Sequence, residues 1–195
     1  MMSSLNNNIK MNQSSARYLV ADFINDRLCK NGMRWENCPA FDMPPSQVQL
    51  KLRQLGDEFE ERFRTQFDDM VNQLHITEAT AYPTFYRVVQ ELFIDGNINW
   101  GRIVALIGFG GSLSVKCVQI GLPQLVDSIV DWVSTYICNN LDQWITSNGG
   151  WQGFVDFYNH NQNHNDSPWD MTGIIKYGAI GVLGAMALGA LLQRT

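Results

Sequence analysis

Arg102 is the side chain whose type and setting point most directly to a chemical task. It follows Asn99, Trp100 and Gly101 at the head of a long apolar run with almost no charge. A guanidinium at the edge of an apolar surface presents a planar fork of donors suited to a carboxylate. Gly101 beside it leaves room for another backbone to approach, although glycine in a helix costs about 1 kcal/mol relative to alanine. Taken alone, these residues equally describe a capped core helix with a solvent-facing arginine. Other candidate chemistry is weaker. His160 and His164 stand four apart, as metal ligands do on a helix, but they fall in an Asn-rich stretch with no third ligand in view. Gly108-x-Gly110-Gly111 lies inside an apolar run rather than after a strand, so it does not make a phosphate cradle. No serine is paired by pattern with a histidine and a carboxylate. The expectation is a binding protein with no catalytic residue, metal or cofactor.

Composition narrows the class of partner. With 195 residues, 45% of them hydrophobic, the chain can bury one sizeable core. A net charge of -5 and a pI near 5.1 provide no basic face for phosphates, which argues against nucleic acid. The four cysteines, Cys29, Cys38, Cys117 and Cys138, form no C-x-x-C pair and suit a reducing compartment. Residues 1–13 are polar and Asn-rich and read as disordered, with no apolar stretch typical of a secretory signal. The sequons at Asn12 and Asn165 are therefore expected to be silent.

The elements that must position Arg102 are all helical. Ser14 or Ser15 can cap a helix over 16–30, with Val20, Phe23, Ile24 and Leu28 on one face and Gly32 as its stop. Pro39, Pro44 and Pro45 mark a loop over 31–46. Ser46 can cap the next helix, where Val48, Leu52, Leu55, Phe59 and Phe63 recur at spacings of four, three, four and four. That stripe extends to Phe67 and Met70, and Gly56-Asp57 follows Leu55 directly. Pro83 suits the first turn of a further helix whose inward face is Phe85, Val88, Val89, Leu92 and Phe93. Asp95-Gly96-Asn97 is a turn into the helix capped by Asn99. Two largely apolar helices follow, the first through Ile103–Val115 and the second over 123–137. Short helices are expected over 141–145 and 151–158.

Residues 159–173 read as a linker, and Ile174–Leu192 is almost continuously apolar. At about 1.5 Å per residue this stretch would span about 28 Å, close to a bilayer's hydrocarbon thickness. Lys176 and Arg194 can snorkel at its ends. The expected organisation is an all-α domain over 14–158 followed by a transmembrane tail anchor over 174–192.

Several of these stretches resemble the homology motifs of the B-cell lymphoma 2 (Bcl) family of apoptosis regulators. Asn99-Trp100-Gly101-Arg102 with Phe109-Gly110 resembles the first motif. Trp144-Ile145, Asn148-Gly149-Gly150-Trp151 and Phe154 resemble the second, and Leu52-x-x-Leu55-Gly56-Asp57-x-Phe59 the third. Leu19-Val20-Ala21-Asp22-Phe23-Ile24, with Leu28 and Gly32, resembles the fourth. The resemblance implies a bundle of about eight helices around two central apolar ones. It further implies a surface groove for a partner's third-motif helix, lined by Phe59, Phe63, Phe67, Met70, Val88, Leu92, Asn99, Trp100, Gly101, Arg102, Phe109 and Tyr158. The chain's own third-motif helix would carry Val48, Leu52, Leu55, Gly56, Asp57 and Phe59. Implied partners are amphipathic third-motif helices of Bax-like, Bak-like and single-motif relatives, in homo- or hetero-dimers, and a membrane reached through the anchor. The implied location is the mitochondrial outer membrane facing the cytosol, with the endoplasmic reticulum membrane and a cytosolic fraction as further places. Two opposite activities stay open. Leu19 to Trp35 and Gly56 to Glu60 resemble the pro-survival members Bcl-xL and Bcl-w, whereas Ala105 to Gly110 is more similar to the pore-forming effector Bak.

Overall fold

The computed structural model describes residues 2–73 and 76–161, with side chains over 15–61 and 76–160. Among these residues the chain forms seven α-helices and one π-helical turn. Helix α1 (Met2–Lys30) starts far ahead of the serines expected to cap it. The polar segment over 1–13, expected to lack order, contains neither glycine nor proline, so once the helix is nucleated nothing stops it from propagating backwards. Its other end is as expected. Gly32 adopts φ +70°, and the Met33 and Gly32 N–H groups donate to the Leu28 and Cys29 carbonyls at 2.8 and 3.0 Å, a Schellman stop.

Helix α2 (Gln47–Gln73) begins at a capping box. The Gln49 N–H donates to Ser46 Oγ at 3.3 Å, and the Ser46 N–H donates to Gln49 Oε1 at 2.8 Å. Helix α3 (Glu78–Leu92) opens on a similar box between Thr77 and Thr80. Pro83 therefore stands inside α3, not in its first turn as the sequence suggests. The cap at Thr77 and the buried face of Ala81, Phe85, Val88, Val89 and Leu92 hold the helix across it.

Helix α4 (Trp100–Gln119) is the axis of the bundle and touches α1, α2, α3 and α5. It is long and apolar enough to cross a membrane, yet 72% of its most apolar stretch is buried among its neighbours, as befits a core helix. Glycines let those neighbours come close. A Cβ on Gly110 would lie 2.8 Å from Val133 Cγ2 of α5 (Leu125–Tyr136), and one on Gly111 would lie 3.0 Å from the Phe23 ring. The Gly108–Gly111 run is thus a packing device. Helix α5 continues through a π-helical turn (Ile137–Leu141), so the short helix expected over 141–145 is displaced to α6 (Asp142–Ser147). Helix α7 (Gly150–Asn161) closes the described chain against α2 and α6. The anchor expected over 174–192 lies outside the described residues.

Candidate partner-helix site

The head of α4 is built by the turn that precedes it. Asn99 is the N-cap, its side-chain oxygen accepting the Arg102 N–H at 2.9 Å. Trp100 packs edge-on against Trp144 at 5.0 Å and Phe154 at 5.4 Å, which ties α6 and α7 to the start of α4. Gly101 is buried. Arg102 is 3% exposed, so it is not the rim residue that its position suggests. Its charge is answered within the chain. Nη1 donates to Asp95 Oδ1 and, at 2.8 Å, to the Asn97 carbonyl, while Nη2 donates to Asp95 Oδ2 at 2.8 Å. Nε is buried without a hydrogen-bond partner. Hydrogen bonding by Arg102, and then by the Asn97 backbone and side chain, holds the Asp95 carboxyl far below the usual carboxylate range. In the sequence Asp95 stands only as a turn residue. The available signal is an acid seven residues before an arginine in the first turn of an apolar helix.

The other candidate groove residues converge from α2, α3, α4 and α7. Phe59 is buried on α2, and a Cβ on Gly108 would meet its ring at 3.7 Å. Val88 and Leu92 are buried on α3, and Phe109 stacks with Phe85 at 6.1 Å. Tyr158 is buried beside Phe154 at 5.2 Å; its hydroxyl has no hydrogen-bond partner, and burial pushes its pKa up. Phe63, Phe67 and Met70 belong to the backbone of α2, with side chains outside the described residues. The described members are thus a buried floor in this conformation and do not form an open wall.

The chain's own third motif is clasped to α1. Leu52, Leu55 and Phe59 are buried, and Val48 packs at the edge of the core. A Cβ on Gly56 would lie 2.3 Å from the Phe23 ring, so only glycine allows this crossing. Charges line the same seam. Arg53 Nε donates to Asp22 Oδ2 at 3.0 Å, and Asp22 is 1% exposed. Arg27, lying over the Phe23 ring, pairs with Asp57 at 2.9 Å and with Glu60. Lys30 Nζ reaches Asp57 at 2.9 Å and Asp26 at 2.7 Å. Burial works to lower the Lys30 pKa, but the hydrogen bonds to Asp26 and Asp57 outweigh it and leave the pKa raised. Asp57 is therefore occupied within the chain.

At the other end of α4 a cavity of about 280 Å³ is lined by Trp35, Val118, Pro123 and Val126 among others, none of them a sequence candidate. His160 Nδ1 lies 2.7 Å from the Asp156 carbonyl, and His164 is outside the described residues.

Residues 52–151 match the family model described as apoptosis regulator proteins, Bcl-2 family. The chain belongs to the Bcl-2 family. These are binding proteins and not enzymes. Bcl-2-like protein 1 of Gallus gallus is 46% identical over 156 residues, 76% of this chain and 65% of the relative. Apoptosis regulator R1 of Xenopus laevis is 36% identical over 181 residues, 90% of this chain and 78% of the relative. The chain spans about 65% of the length of the Bcl-2-like protein 1 relatives it matches. Among solved structures, Trichoplax adhaerens trBcl-2L2 bound to trBak BH3 superposes with a TM-score of 0.68 at 37% identity. The alignment covers 75% of this chain and 98% of that one.

Proposed function

We propose that this Bcl-2 family chain is a pro-survival regulator of mitochondrial apoptosis. It receives the third-motif (BH3) helix of a pro-apoptotic relative in a groove floored by Phe59, Val88, Leu92, Trp100, Phe109 and Tyr158. Phe63, Phe67 and Met70 continue that groove along α2, and Asn99, Gly101 and Arg102 form its end. Apolar i, i+3, i+4, i+7 side chains of the incoming helix fill the groove, and its aspartate approaches Arg102. The observation that carries the pro-survival reading is the α1–α2 seam. An effector must release its own third-motif helix, and here Gly56 against Phe23, with Arg27 on Asp57 and Glu60, works against release. Within the Bak-like stretch, Gly110 is accounted for by close packing on Val133. Residues 174–192 anchor the chain in the mitochondrial outer membrane facing the cytosol, with the endoplasmic reticulum as the second destination.

Dye release from cardiolipin-containing liposomes tests the activity. The full chain, alone or with an activator peptide, is expected to release no dye and to suppress release by Bax. Release by the chain itself would make it a Bak-like effector. Carbonate extraction of the full chain tests the anchor, and recovery in the soluble fraction would rule it out.

A further inference from the structure

We infer that Asp95 is an internal competitor for the acidic residue of an incoming helix, so that the Asp95–Arg102 pair sets how strongly this chain selects partners by that acid. The inference rests on the groove reading above and adds a specificity-determining residue to it.

Three features of the pair carry the argument. The first is its geometry. Asp95 holds Arg102 end-on through both Nη atoms, with the Asn97 carbonyl on Nη1, and leaves the buried Nε without an acceptor. The arginine is thus neutralised but not fully satisfied. The second is asymmetry of burial. Arg102 is 3% exposed and Asp95, by side chain, 39%. A buried guanidinium stripped of its carboxylate is costly, whereas a half-exposed carboxylate that loses its arginine can return to water. The third is the loop. Asp95 is presented by a turn through Gly96 at φ +72°, its carboxylate also accepting from the Asn97 N–H and Nδ2 at 3.0 Å each. The counter-charge therefore sits on a connecting segment and can leave without separating two helices.

An incoming carboxylate meets an arginine already answered. It gains only the difference between the new pair and the old one, and Asp95 repels it on approach. Apolar contacts then dominate affinity, and the partner's acid is read weakly. Removing the Asp95 charge should uncover the full preference of Arg102 for an acid.

The test uses the full chain in mild detergent and two probes. One is the Bak BH3 peptide of the Trichoplax complex. The other is the same peptide with Asn in place of the aspartate that follows its motif glycine, as Asp57 follows Gly56 here. Asp95→Asn keeps the turn acceptor for the Asn97 N–H, and Asp95→Ser is the second variant should the first fail to fold. Calorimetric titration is expected to show either variant binding the acidic peptide about tenfold tighter than wild type, a change on the scale of a partly shielded charge pair. Binding of the Asn peptide should change less than about twofold, as expected when the coupling partner is absent. Unchanged or weaker binding of the acidic peptide would overturn the competitor role while leaving groove binding intact, as would equal tightening of both peptides. If neither wild type nor variant binds either peptide, the groove reading itself falls and the inference with it.

Discussion

The α1–α2 seam and the head of α4 solve the same electrostatic problem in different ways. Each buries an arginine beside carboxylates, Arg27 in one and Arg102 in the other. In the seam the partners belong to another helix, 33 residues away in the case of Arg27 and Glu60. At α4 the partner is seven residues away on the adjoining turn. The seam's Asp22–Arg53 pair is held between α1 and α2 with Asp22 buried, and it cannot be exchanged without parting the helices and exposing the apolar surface between them. A charge answered by a turn can be exchanged while the core stays closed. The seam is therefore a fixed structural clasp, and the head of α4 is where binding can act.

Substitutions can break this contrast, and the largest effect should fall in the seam. Asp22→Ala leaves Arg53 without its buried partner and should lower stability by about 3 kcal/mol, the lower end for breaking a buried pair because Arg53 keeps some access to water. Denaturant unfolding measures this, and a loss below about 1 kcal/mol would make the seam no more than a surface ion pair. Gly56→Ala places a methyl group against the Phe23 ring and should cost about 2 kcal/mol, as overpacking does. An unchanged melting temperature would show that the Phe23 ring yields to the methyl group and that the crossing does not require glycine.

Effects at the head of α4 should be smaller and should appear in binding. Arg102→Ala should weaken BH3 peptide binding by about 1–2 kcal/mol, less than the roughly 2–5 kcal/mol for truncating one member of an unanswered buried pair. A larger loss would mean that Asp95 does not share the arginine. The smallest expected effect is the pH dependence of stability. Asp95→Asn strips the buried Arg102 of its carboxylate, leaving it the Asn97 carbonyl as a neutral acceptor, and should lower the melting temperature at neutral pH. The pH dependence follows from the depressed carboxyl pKa. A pKa lower in the folded than in the unfolded chain stabilises the fold above the ordinary carboxylate range, and this contribution fades as pH falls through that range towards the depressed value. The gap between wild type and Asp95→Asn should therefore narrow on acidification. A gap that widens would reverse the assigned sign.

Local physics made much of this protein legible from its residues. Ser46, Asn99 and Gly32 act as the caps and stop that their types dictate, because capping depends on neighbours within one turn. The apolar stripe of α2 and the unbroken run of α4 likewise announced one amphipathic and one central helix, since periodicity alone decides which face is buried. The homology motifs stood in order and named the family that the comparisons support. Other features depended on contacts between distant parts of the chain. The burial of Arg102 and the presence of Asp95 beside it follow from how the turn folds back over α4. Pro83 is tolerated mid-helix because α3 is capped earlier and its apolar face is buried. Gly56 and Gly111 both prove to be spaces for Phe23, a side chain remote from each in sequence. Spacing along one chain can tell which face of a helix is apolar, but only three-dimensional packing decides which charge meets which, and that choice separates a locked seam from an exchangeable pair.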